Sequence, residues 1–385
     1  MDPKELYAKK LEVFQKTLAR EEADWVPSTI LNAGGSLYYV GKNVYDFIGD
    51  HAGEAKAITA FLDEMWLDVN FATAVTCSTR VSETFTTAEN RLTKDGTLVH
   101  LQTPFMQADE YDQLIADPAG FVANVLLPRK YPYLYENREK TKELLKIYAE
   151  GQMDALAIQG GTTMQYLAEH YGVPSVMNGG CQINTPLDHI FDYFRGFRGT
   201  LTDLRRQPDK VKAALDAIWD YQCAPIVAQL YDPAQGMPFQ PCHVPPYLSP
   251  KQYEELCWPY EKRFADWITA SGGKIVSVLE GRFGRMTDCF LDAPKDSFVL
   301  FVDDDDIYDV NERLGQHHII AGGLLSVNTR MMKIDEMKDG IMKLIDTLAP
   351  GGGYIFAANK CCLTPGDVNR NLIDCYNFAH EYSKK

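Results

Sequence analysis

Three side chains able to hold a proton or a metal ion each stand at the end of a short apolar run. Ile275-Val276-Ser277-Val278-Leu279 climbs out of Gly272-Gly273, stops at Glu280 and breaks at Gly281. Met237-Pro238-Phe239-Gln240-Pro241 leads to Cys242-His243, and Tyr354-Ile355-Phe356-Ala357-Ala358 leads to Asn359-Lys360-Cys361-Cys362. Short apolar runs bounded by turn residues read as buried strands. A charged residue at such a strand end, followed by Gly, is where a barrel or open α/β sheet places its chemistry. Zinc takes N, O and S donors and keeps one position open at a catalytic centre. His243, Glu280 and Cys361 are therefore the expected metal ligands, with Glu280 also a catalytic carboxylate. The plainer alternatives are a salt-bridged Glu280, a loop histidine and two buried thiols.

Further polar groups follow the other strands. Asp303-Asp304-Asp305-Asp306 ends the run Ser297–Val302, and Asp303 and Asp306 are expected to act in acid–base catalysis. Asp306 could instead cap the helix that begins at Ile307. The plainer reading of the four aspartates is a helix start; the alternative, since adjacent acids repel one another, is a cation or cationic substrate nearby. Asn32, Asn178 and His317 are assigned to substrate binding; the alternative for His317, beside His318, is structural. Thr76-Cys77 and Gln159 are also read as strand ends.

The elements that must position these groups alternate. Strands are expected at 25–31, 69–75, 155–158, 174–180, 237–243, 275–279, 297–302, 318–323 and 354–358. Helices are expected at 4–22, 53–66, 136–150, 210–230, 250–270, 307–314, 334–348 and 369–382. Alternating strands and helices mean βαβ units around a parallel sheet. The expected fold is a single-domain (β/α)8 TIM barrel over residues 1–385 with an N-terminal helical extension, 1–23. Asp95-Gly96 between two alternating runs predicts a β-hairpin insertion at 89–104. No GxGxxG follows the first strand, which disfavours a dinucleotide enzyme on an open sheet.

The chain of 385 residues is 45% hydrophobic and 24% charged, values of a globular protein. A net charge of -15 argues against nucleic acid as a partner. No apolar run approaches the length of a membrane span, and Met1-Asp2-Pro3-Lys4-Glu5-Leu6 lacks a signal core, so a cytoplasmic protein is expected. Nine scattered cysteines read as reduced thiols.

Laid out in this order, the chain resembles the uroporphyrinogen decarboxylase superfamily of (β/α)8 barrels. The resemblance is carried by Glu110–Pro118, by Pro186-Leu187-Asp188 with Phe194-Arg195-Gly196, by Gln207–Val211, by the strand into Glu280-Gly281, by Ile320–Gly323, and by Thr364-Pro365 with Asn369. True decarboxylases of this kind carry an arginine-rich signature after the first strand. Here that place reads Leu31-Asn32-Ala33-Gly34-Gly35, without arginine. The other branch, the corrinoid-dependent methyltransferases, holds zinc with a His-x-Cys pair and a late cysteine. The pair's place is similar to Val278-Leu279-Glu280, and Cys361 resembles the late cysteine.

The resemblance implies a corrinoid-dependent methyltransferase, zinc-assisted through His243, Glu280 and Cys361, of the O-demethylase component type. Its partners would be a small methoxylated or thiol substrate and a separate corrinoid protein carrying the cobalamin. Self-association into a homodimer is compatible with the sequence. The alternatives are a decarboxylase or lyase using carboxylate acid–base chemistry, or a non-catalytic binding protein on the same barrel.

Overall fold

The computed structural model describes residues 2–73, 90–101, 103–136, 138–156 and 161–384. Its centre is a parallel sheet in the order β1-β11-β10-β9-β8-β7-β6. These strands are β1 (Ser28–Thr29), β6 (Met177–Gln182), β7 (Met237–Pro241), β8 (Ile275–Leu279), β9 (Phe298–Val302), β10 (Ile319–Leu324) and β11 (Tyr354–Ala358). β2 (Leu31–Asn32) prolongs β1 and pairs in parallel with β3 (Ala72–Thr73). The β3 segment reaches the other edge of the sheet. Asn70 N–H donates to Pro174 O at 2.8 Å, and Val176 N–H to Asn70 O at 3.1 Å. These bonds carry the curled sheet round toward closure, giving the expected barrel-like α/β fold.

Side-chain alternation sorts each strand between two cores. Val276 and Val278, Val299 and Phe301, Ile319 and Ala321, and Ile355 and Ala357 share one cluster inside the curl. Leu279, Leu300, Ile320 and Phe356 face the surrounding helices. Phe14, from the helix Pro3–Leu18, joins the inner cluster and lies edge-on to Phe71 at 6.2 Å between ring centroids. The N-terminal extension is thus part of the core and fills the inner cluster from outside the sheet.

The expected helices recur, several of them broken. The 210–230 helix is Pro208–Ile218, a π-helical turn Trp219–Cys223, and Ala224–Leu230. The strand expected at 155–158 is not formed over its first half. Ala155 and Leu156 end the helix Thr141–Leu156, and 157–160 lie outside the described residues. A short apolar run cannot by itself be told from a buried helix end. The insertion forms a hairpin of β4 (Asn90–Leu92) and β5 (Leu98–His100), turning through Gly96 at φ +85. No helix among the described residues is long and apolar enough to cross a membrane.

Candidate active site

The ends of β7 and β8 meet a buried helical segment. β7 stops at Pro241, which has no N–H to extend the ladder. Cys242 then points away from the mouth, its Sγ 3.4 Å from Ser277 Oγ, and His243 points into it. Thr185 caps a short helix, Pro186–Asp188, that widens into a π-helical turn, His189–Phe194. Such turns are frequent at functional sites. Asp188 and Asp192, four residues apart, grip two successive residues of the β7 loop. Asp188 Oδ1 accepts the Val244 N–H at 3.0 Å, and Asp192 Oδ2 lies 2.7 Å from His243 Nδ1. On the other side His243 Nε2 lies 3.2 Å from Glu280 Oε1.

The half-buried imidazole therefore sits between two carboxylates. Burial acts on it most strongly and by itself would lower its pKa. Asp192 and Glu280 together outweigh burial and raise it from 6.5 to about 11, so the ring is an imidazolium at neutral pH. Burial, then the Asp192 charge, pushes Asp188 up to about 6.

Glu280 is positioned through the loop behind it. Gly281 has φ +70, and a Cβ there would come within 3.0 Å of Pro246. Its N–H donates to Asp303 Oδ2 at 2.8 Å, while Phe283 and Gly284 N–H donate to Asp305 at 2.8 and 3.0 Å. Beside the four aspartates lies Lys360, with Nζ 2.6 Å from Asp303 and 2.9 Å from Asp304. Burial raises the Asp303 pKa against the pull of Lys360 and the Gly281 N–H.

Two cavities share this centre. One, of about 630 Å³, is lined by apolar Leu31, Phe71, Met177, Phe239 and Val278 and by Asn32, His243, Glu280, Asp303, Lys360 and Cys361. The other, of about 1020 Å³, is walled by Phe197, Arg198 and Tyr247. His243 and Glu280 line both.

Of the residues expected from sequence, His243, Glu280, Cys361, Asp303 and Asn32 come together. The Asn32 amide is bound to Ser36, donating to Oγ at 2.7 Å. Asn178 lies in β6, but its side chain is outside the described residues, as are Thr76, Cys77 and Gln159. Asp306 is absent from both cavity walls. It caps the helix Ile307–Leu314, accepting the Tyr308 N–H at 2.9 Å. His317 precedes β10 at the end of the barrel opposite the mouth, bonded to Ala293 O at 2.9 Å. Asp303 acts on the loop that presents Glu280. Asp192, Asp305 and Lys360 went unassigned. The signal for Asp192 was an acid pair at i,i+4 in a segment otherwise rich in apolar residues, which asks for a buried donor or cation.

Asp192 at Nδ1 stands where a carboxylate supports a metal-bound histidine, but Nε2, the nitrogen left for a metal, is taken by Glu280 at 3.2 Å. Among the described residues no three His, Cys, Asp or Glu side chains are placed to hold a metal ion. As arranged, the residues do not fit zinc.

A family model for uroporphyrinogen decarboxylase matches residues 190–382, from the π-helical turn to the closing helix. The chain belongs to the uroporphyrinogen decarboxylase family. Among solved structures it is similar to a methyltransferase from Methanosarcina mazei, at 15% identity and TM-score 0.58, over 96% of this chain and 97% of that one. No curated protein matches the sequence.

Proposed function

We propose that the chain is a methyltransferase in which the Asp192–His243–Glu280 centre holds the proton delivered to the leaving atom of the methyl donor. The observation that carries this reading is the imidazolium clamped between two carboxylates on the wall of two cavities. The fold likeness to a methyltransferase supports it. The first cavity takes a small methoxylated molecule with its ether oxygen on His243. The second cavity is the approach for the acceptor, a corrinoid on a separate protein, whose cobalt supplies the nucleophile for the methyl group.

As the methyl group leaves, negative charge grows on the ether oxygen. The imidazolium stabilises that charge and passes its proton across. A group at about 11 is well matched to a departing phenolic oxygen, whose ordinary value is about 10. Asp192 holds the ring and its tautomer, and Glu280 stabilises the imidazolium until the oxygen competes for the proton. The zinc-free acid thus takes the part that a Lewis acid would play. A place in the cytoplasm goes with this reading.

Decarboxylation of a polycarboxylate is less well supported. It needs several cations for the substrate's carboxylates; His243 and Lys360 are already paired in the first cavity and Arg195 with Asp203, which leaves Arg198 on the wall of the second.

The test mixes the protein with reduced cobalamin and 4-methoxyphenol under anoxic conditions. Methylcobalamin and hydroquinone are expected in equal amounts, with the rate falling about 100-fold or more in His243→Gln. An unchanged cobalamin spectrum with methoxyaromatic, methoxyalkyl and methylthio donors alike would overturn the proposal.

A further inference from the structure

We infer that the second cavity is a binding site for a flat organic anion, its ring against Phe197 and Tyr247 and its carboxylate on Arg198. The site is separate from the cavity proposed for the methyl donor, and its test needs no turnover.

Three rings build one part of the wall. Tyr247 stacks on Phe191 at 5.9 Å between centroids and 19° between planes, and Phe197 stands edge-on to Tyr247 at 4.9 Å. Phe191 is buried, whereas Tyr247 is 54% exposed. An aromatic face left open on a concave wall suits a flat partner, which can stack on it or meet it edge-on. A volume of about 1020 Å³ leaves room for a fused bicyclic ring.

Pairing sorts the polar groups of the same cavity. Arg195 is taken by Asp203 at 2.7 Å and by Met106 O at 3.2 Å. Asp192 and Glu280 are turned to His243. Arg198, next to Phe197 in the chain, is exposed, and among the described residues its guanidinium meets no carboxylate and the Tyr247 hydroxyl has no partner. A guanidinium takes a carboxylate through two parallel N–H bonds. By itself an exposed arginine is only solvated; beside an open aromatic face it is the charged end of a site whose other end is apolar. His243 and Glu280 line this cavity too, so an occupant controls access to the imidazolium from that side.

The test is calorimetric titration of the full chain with 2-naphthoate and with its uncharged counterpart, 2-naphthamide. The anion is expected to bind about fivefold more tightly. That ratio is expected to fall to about one in Arg198→Gln, while Arg198→Lys, which keeps the charge, retains most of it and controls for misfolding. Tyr247→Ala should weaken both probes by about threefold or more, since it removes the stacking face and leaves the charge. No saturable binding of naphthoate, equal affinities in wild type, a ratio that survives Arg198→Gln, or probes that ignore the loss of Tyr247 would overturn the inference. Naphthoate preference without methyl transfer sinks only the proposed reaction, whereas methyl transfer without that preference sinks only this inference.

Discussion

His243 lies between one buried carboxylate that orients it and one at the mouth that shares its proton. Asp192→Asn keeps a hydrogen-bonding group but removes a charge that stabilises the imidazolium. The His243 pKa should then fall below about 11, because the protonated form loses a partner. If activity needs the protonated ring, the wild-type rate should hold through neutral pH and decline only as pH rises toward about 11. In Asp192→Asn the alkaline limb should move to lower pH, which a pH–rate profile reads directly. An unmoved limb would mean that another group sets it. The sequence made Glu280 and His243 legible because each ends an apolar run. It hid Asp192, since nothing in one chain says that a helical acid 51 residues away meets that imidazole.

Behind these residues, the β8–β9 connection acts as a unit. Asp303 and Asp305 bind three amides of one turn, at Gly281, Phe283 and Gly284, and so fix where Glu280 points. Gly281→Ala should destabilise the chain by about 1–2 kcal/mol, because a left-handed φ is costly for any side chain. Denaturant unfolding measures that loss, and a change near zero would show that the loop relaxes freely. Asp305→Ala should cost about 1–3 kcal/mol, chiefly from the buried Phe283 amide left unpaired. It should also lower activity through the freedom given to Glu280. The run of four aspartates looked like one feature in the sequence. In space it divides into two loop clamps, a Lys360 partner and a helix cap, a division set by the backbone directions after β9.

Across the molecule, the pattern of apolar runs and helices was enough to reveal the barrel, because each inner strand is buried on both faces. The role of Phe14 was less legible: a helical spacing predicts a surface helix, whereas this one sends its aromatic ring into the barrel core. Phe14→Ala should therefore cost about 3–5 kcal/mol, a core value, as measured by denaturant unfolding. A loss under about 1 kcal/mol would mean that the extension is not a structural part of the barrel. The raised His243 pKa also couples to stability. Its contribution is complete below about 6.5, shrinks as pH rises and is gone above about 11. Glu261, buried and pushed up to about 8, titrates in the same window. The stability difference between wild type and His243→Gln isolates the histidine, since Glu261 is common to both.

The proposed reaction stands on His243 being an imidazolium held by Asp192 and Glu280. The most direct measurement is a nitrogen-15 histidine NMR titration of the full chain from pH 6 to 10, in steps of about half a unit. His243→Gln identifies the resonance, and a zinc assay is run on the same sample. Both ring nitrogens are expected to keep imidazolium shifts beyond pH 9, with zinc far below one per chain. A His243 ring that is neutral by pH 8, or one metal-bound at Nε2 with stoichiometric zinc, would contradict it.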